Sequence, residues 1–181
     1  MDNDALTTFI ERTRAVFGPL TSELVASVRT ELERLVQAPA AEHWLAALHA
    51  ESPPTTELHR DRDHGFVLLA HSEPTGLYRS PHDHGRGWVI YALQRGEMEI
   101  GTYARVDEPD GRVRLVQRET QPLRAGEARV YLPGDIHDTR CVSGPSLLFR
   151  FTERDLKKED QEARRVTRYV ERNGVWTTGL V

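Results

Sequence analysis

The chain has 181 residues, 38% of them hydrophobic, which suits one domain with a sizeable core. Its 24 basic and 28 acidic residues are well mixed and leave a net charge of −4, so it carries no electrostatic footprint for nucleic acid or an anionic membrane. No apolar run approaches the ~20 residues of a membrane span, the polar start Met1-Asp2-Asn3-Asp4 is unlike a secretory leader, and a single cysteine, Cys141, excludes an intramolecular disulfide, so a soluble cytoplasmic protein is expected.

Residues 4 to 50 have helical periodicity. Leu6, Phe9, Ile10, Val16 and Phe17 form one apolar stripe that ends at Gly18-Pro19, and Leu24, Val28, Leu32, Leu35 and Val36 form a second. Pro39 is expected to open a short third helix holding Trp44, Leu45 and Leu48. These stripes are expected to pack on the outside of a β-barrel, with His43 and His49 as surface or packing residues. From Phe66 the texture changes to short strands: Phe66 to Ala70, Leu77 to His82, Trp88 to Leu93, Glu97 to Val106, Arg112 to Val116, Ala128 to Leu132 and Ser146 to Phe151. Pro109-Asp110-Gly111 marks a hairpin, and Asn173-Gly174 marks another between Val166–Glu171 and Val175–Thr178. Residues 153 to 165 are charged and are expected to be helical or extended at the surface. Many short strands between turns predict a sandwich or jelly-roll barrel.

Two histidines one residue apart on a strand project from the same face. His82 and His84 have that spacing, and a third histidine, His137, follows a strand and the turn Pro133-Gly134. Three imidazoles brought together would share one metal ion, and imidazole ligation fits iron, zinc, copper or nickel. Gly76, His82, His84 and Gly96 fall in register with the pattern G-x5-H-x-H-x4-E-x6-G. Gly126, Gly134 and His137 match G-x5-P-x-G-x2-H, with the proline displaced to Pro133. Over roughly residues 60 to 155 the chain thereby resembles the cupin superfamily. The resemblance implies an all-β core, the double-stranded β-helix or jelly-roll barrel, with the N-terminal helices packed outside. It implies a single cupin domain over residues 1–181, divided into a helical segment at 1–52, the barrel core at 60–152 and a C-terminal extension with a hairpin at 153–181.

At the position of the cupin glutamate stands Val89, so the fourth protein ligand is missing. Three-histidine sites of this spacing look most like the thiol dioxygenases of the cysteine dioxygenase type. That resemblance implies iron(II), with zinc, nickel or manganese as alternatives. It implies a small thiol acid and dioxygen as reactants, with both oxygen atoms ending on sulfur as a sulfinate. The family's cysteine at the Val89 position is absent, so no tyrosine–cysteine cross-link can form there. Its Ser-x-His-x-Tyr element aligns with Ser146, Leu148 and Arg150.

Strand parity places Tyr78, Ser80, Val89, Tyr91 and Leu93 inward and Trp88 outward. Thr139 and Cys141 share the parity of His137. Tyr91 is a candidate catalytic hydrogen-bond donor or a packed core tyrosine. Cys141 reads as a small buried hydrophobe, and Asp83 as a group behind the ligands or at the surface. For Arg150 two orientations remain open. Either it faces the cavity, where it would pair with a substrate carboxylate, or Leu147, Phe149 and Phe151 face inward and Arg150 faces solvent. Arg60 and Arg62, just before the first strand of the barrel, are further substrate-binding candidates, with Val89 and Tyr78. Besides a thiol dioxygenase, two readings stand: a carbon–carbon-cleaving dioxygenase acting on a chelating diketone or hydroxyketone, and a non-catalytic small-molecule-binding cupin. The expected oligomeric state is monomer or homodimer.

Overall fold

The computed structural model describes residues 4–162 and 165–178. Three helices, α1 (Ala5–Val16), α2 (Ser22–Leu35) and α3 (His43–Glu51), precede seven strands: β1 (Thr56–Arg60), β2 (Val67–Glu73), β3 (Tyr78–His82), β4 (Val89–Asp107), β5 (Val113–Arg124), β6 (Ala128–Tyr131) and β7 (Ile136–Thr152). A short α4 (Leu156–Gln161) and the hairpin β8 (Tyr169–Arg172) and β9 (Val175–Thr178) follow. Of the charged segment read at 153 to 165, residues 163 and 164 lie outside the described residues, as do 1–3 and 179–181. Among the described residues no helix is long and apolar enough to cross a membrane.

The first two helices begin where side chains can accept the free N–H groups of the first turn. Asp4 caps α1 through Thr7 and Thr21 caps α2 through Leu24. The third helix starts later than expected. Pro39 lies in the preceding turn, its carbonyl accepting from Glu42, and Glu42 itself is the N-cap without a side-chain cap.

The strands are longer than their sequence signals. Trp88–Leu93 and Glu97–Val106 belong to one 19-residue strand, β4, whose register with β7 shifts between Leu93 and Met98. β5 continues to Arg124, well past Val116, and β1 carries no apolar run that would have revealed it. β4 and β7 pair antiparallel along nearly their whole length. β2 and β3 flank β7, and β5 and β6 flank β4. The result is an antiparallel jelly roll with helices at its N-terminal side. All four glycines of the two motifs, Gly76, Gly96, Gly126 and Gly134, have φ between 85° and 89°, a region closed to most side chains. At Gly96 a side chain would also strike Ser146 Oγ.

Period-two alternation divides each long strand between two cores. Leu68 and Ala70 of β2, Ile90 and Ala92 of β4, and Leu147, Phe149 and Phe151 of β7 face the helices. There they join Phe9, Leu24, Val28, Leu32, Leu35, Leu45 and Leu48. Val89, Tyr91, Leu93, Met98, Ile100, Leu123, Tyr131 and Leu148 form the separate inner core. The helices therefore cover the barrel as expected, and Trp88 faces them. A third cluster of Tyr103, Val113, Leu115, Ile136 and Tyr169 seats the C-terminal hairpin, with Trp176 packed against it. Its turn, Asn173-Gly174, is left-handed at both residues, with φ of 52° and 78°, as the Asn-Gly pair predicts.

Asp61 ties α1 to the start of the barrel. Its fully buried carboxylate accepts from Arg14 of α1, from the backbone N–H groups of Asp63 and His64, and from the His64 side chain. Burial works to raise the Asp61 carboxyl, but these bonds outweigh it and hold the group far below the ordinary 3.8. Asp61→Ala is expected to lower unfolding stability in urea by about 2–3 kcal/mol at pH 7. The carboxylate's contribution should be complete above pH 4 and decline as pH falls further, because the folded form holds its charge to lower pH than the unfolded chain. Urea curves of the two proteins at pH 7 and pH 3 check both statements.

Candidate metal centre

His82 ends β3, and His137 is the second residue of β7, its cross-strand partner. His84 lies off the strand, in the loop that leads to β4, so strict strand parity does not place it. Asp83 fixes that loop. Its carboxylate accepts from the N–H groups of Gly85 and Thr167, both at 2.9 Å, and it points to neither imidazole set. The three rings stand with centroids 4.9 to 5.1 Å apart, and one ring nitrogen from each lies within 4.8 Å of the others. The Nδ1 of His82 lies 2.8 Å from the Ser80 carbonyl, which leaves its Nε2 as the free lone pair.

The Nε2 atoms of His84 and His137 face each other at 3.3 Å. Two nitrogens so placed repel unless one ring carries its neutral N–H between them or a cation does. A second proton on either ring is disfavoured here. Burial, followed by the charge of neighbouring histidines, lowers the His84 pKa to about 2 and takes His137 well below its ordinary value; burial also lowers His82. Buried neutral imidazoles with converging lone pairs are a donor set for a divalent cation of the iron, zinc, copper or nickel kind. These three residues could hold a metal ion, and among the described residues no carboxylate joins them in the cluster.

The site opens into a cavity of about 830 Å³ between β2, β3, β7 and the segment after the barrel. Arg150 lines it. Its neighbours Phe149 and Phe151 face the helices, which settles the orientation left open by the sequence. Its Nε is buried without a hydrogen-bond partner, and among the described residues it forms no ion pair. Tyr91 also lines the cavity, its hydroxyl 3.3 Å from His84 Nε2 and 3.4 Å from His137 Nε2. Val89 and Leu93 face inward as read, but are sealed in the inner core and are not among the cavity-lining residues. Thr139 lines the cavity, whereas Cys141 is buried against the Glu73 carbonyl and Ser146 Oγ.

Two further sequence candidates, Tyr78 and Arg60, line the cavity with their polar groups engaged, and a third, Arg62, lies outside it. Tyr78 lies on the wall, but its hydroxyl donates to Asp138, which also accepts from Tyr103 and from the Gly101 N–H; its polar atom is committed. Arg60 stands at the rim, bound to Glu57 and Asp155. Arg62 is exposed in the turn after β1 and does not line the cavity. Sequence reading also missed His71 and Glu73, two cavity residues of β2. The apolar run was taken to end at Ala70, yet continuing its alternation from Val67 and Leu69 would have brought both inward. His71 Nδ1 meets Thr55 Oγ1 at 3.0 Å and Glu73 pairs with Arg79. The remaining atoms of each, His71 Nε2 and Glu73 Oε2, are buried and unpartnered.

No protein-family model matches the sequence, and no curated protein matches it. Among solved structures the chain is similar to KdgF from Halomonas sp., with 17% identity, a TM-score of 0.43, and 54% of this chain and 74% of that one covered. It is similar to the cupin domain of Cnp3 from Schizosaccharomyces pombe, with 10% identity, a TM-score of 0.43, and 59% and 64% covered. An oxalate oxidase in complex with the substrate analogue glycolate gives 21% identity and a TM-score of 0.36, with 48% and 39% covered. The match spans less than two thirds of the Cnp3 domain and of the oxalate oxidase chain. Similarity at this level says nothing about what the present chain does.

Two outcomes follow from the buried histidines. Titration with zinc in calorimetry should show about one ion per chain, and His84→Ala or His137→Ala should remove it. In metal-free protein, His71, with a pKa near 3, His84 and His137 all ionise less readily folded than unfolded, where the ordinary value is 6.5. Stability should therefore fall as pH drops below 6.5, by up to about 1.4 kcal/mol per pH unit for each histidine. Denaturation midpoints at pH 7.0 and 5.5 measure the slope, and His71→Gln should reduce it.

Proposed function

We propose that the protein is an iron(II)-dependent dioxygenase that oxidises a small thiol acid to a sulfinate. The observation that carries this reading is Arg150, free of any ion pair among the described residues, in a cavity lined by His82 and His84 of the three converging imidazoles. A divalent ion held by neutral donors keeps its full charge, and a cationic side chain beside it is repelled unless an anion lies between. A substrate bearing both a thiolate and a carboxylate answers both demands. Iron(II), when bound, would lower the thiol pKa and supply the positions and electrons for reaction with dioxygen.

The chain's own residues would do the rest. Arg150 orients the carboxylate, bidentately where the guanidinium fork allows. The Ser80 carbonyl holds His82 in the tautomer that presents Nε2. Leu148 and Leu69 give the cavity apolar walls, which strengthen the charge interactions inside. The other cavity carboxylates are already matched: Glu73 with Arg79, Glu57 and Asp155 with Arg60, and Asp160 with Arg168. That arrangement supports an acidic substrate over a neutral diketone, which would leave Arg150 without a partner.

Oxygen uptake by the iron-loaded protein should be driven by mercaptopropionate or another thiol acid and not by a neutral diketone. Arg150→Met should raise the KM for the acid ten- to a hundredfold while iron content stays the same; loss of a charge-assisted hydrogen bond in a buried site costs about 1.5–3 kcal/mol. Uptake with the diketone alone would hand the site to carbon–carbon cleavage.

A further inference from the structure

We propose that the phenol oxygen of Tyr91 is a fourth protein donor to the ion held by His82, His84 and His137. The inference rests on the reading of the three histidines as a metal centre, and adds to it a ligand that the sequence motif does not supply.

Three distances carry it. Tyr91 Oη is 3.3 Å from His84 Nε2 and 3.4 Å from His137 Nε2, and these two nitrogens are 3.3 Å from each other. The three atoms form a nearly equilateral triangle. As hydrogen bonds the contacts are poor: an O–H donor normally lies about 2.7–2.8 Å from its acceptor, and one phenol proton cannot serve both nitrogens. As edges of a coordination polyhedron they fit. Four donors placed tetrahedrally about 2.0–2.1 Å from one ion are separated by roughly 3.3 Å.

Charge and position agree with the distances. Tyr91 lies two residues beyond Val89 on β4, on the same inward face. It therefore offers an ionisable oxygen from the strand face where the motif's carboxylate is missing. The cavity carboxylates of Glu57, Glu73, Asp155 and Asp160 are each engaged by an arginine. On binding, the phenol O–H bond breaks, the proton leaves to solvent, and the oxygen's electron pair forms the bond to the cation; nothing is oxidised or reduced. The Arg150 guanidinium would then face both the phenolate and the substrate anion.

The test needs no turnover. The metal-free full chain is loaded with iron(III), and its visible spectrum is compared with those of Tyr91→Phe and Tyr131→Phe. Tyr131 is the informative control because its ring lies 4.0 Å, centroid to centroid, from that of His137. The expected result is a phenolate-to-iron charge-transfer band in the parent protein and in Tyr131→Phe, absent from Tyr91→Phe. Zinc affinity should fall ten- to a hundredfold or more in Tyr91→Phe, with the metal-free melting temperature as the control for folding. A parent protein that binds iron and zinc without the band, with zinc affinity unchanged in Tyr91→Phe, overturns the inference and leaves a three-histidine centre. A parent protein that binds neither ion overturns the metal centre itself.

Discussion

The chemistry of the cavity depends on which face of β7 meets the helices. Leu147, Phe149 and Phe151 are buried under α1, α2 and α3, and the alternation of a strand then leaves Leu148, Arg150 and Thr152 no choice but the barrel interior. A slip of one residue would put a guanidinium into an apolar core and two phenyl rings against the histidines. The first half of such an exchange costs several kcal/mol, since a charge in an apolar core has neither water nor partner. The N-terminal helices, packed on the face of β7 opposite the cavity, thus orient the arginine that lines it.

Inside that frame, electrostatics are arranged by pairing and by neutrality. The cavity's carboxylates each have an arginine, and its histidines are kept uncharged by burial. Arg150 and Lys157 are the lining cations without an ion pair among the described residues, and the Nε of Arg150 is buried without a hydrogen-bond partner in a medium where screening by water is weak. An unsatisfied charge of this kind is costly to the fold and is best understood as half of an interaction. The orphaned Nε2 of His71 and Oε2 of Glu73 on neighbouring β2 belong to the same recess, so a ligand that satisfies Arg150 would meet two further unpartnered polar atoms beside it.

The histidine triad was legible in the sequence because glycines at fixed intervals impose backbone conformations that few other residues adopt, and all four motif glycines do adopt them. Arg150 was not legible. The stretch Leu147-Leu148-Phe149 is apolar at every position, since it is buried on both faces, and a continuous apolar run hides its own parity. For the same reason the strand at Phe66 was cut at Ala70, and His71 and Glu73 were lost beyond it. The long strands β4 and β7 were read in pieces because irregular register near Leu93 to Met98 interrupts the alternation. For Tyr78, parity places the side chain on the cavity wall but does not reveal that its hydroxyl donates to Asp138.

Moving an anionic ligand by two residues along one strand face changes more than its identity. Residues i and i+2 are about 6.6–6.8 Å apart, so a donor at Tyr91 must reach back across that spacing with a longer side chain than the motif's glutamate would need at Val89. A phenol ring does this with only two rotatable bonds, whereas a carboxylate of equal reach would need more. Packed among Leu93, Tyr131 and Leu148, the ring loses little freedom when its oxygen is fixed. The exchange also removes a carboxylate that would compete with an acidic substrate for both the ion and Arg150. With the cavity's carboxylates engaged by Arg60, Arg79 and Arg168, the charge that Arg150 meets at the ion would be that of the phenol oxygen and of the anion that enters.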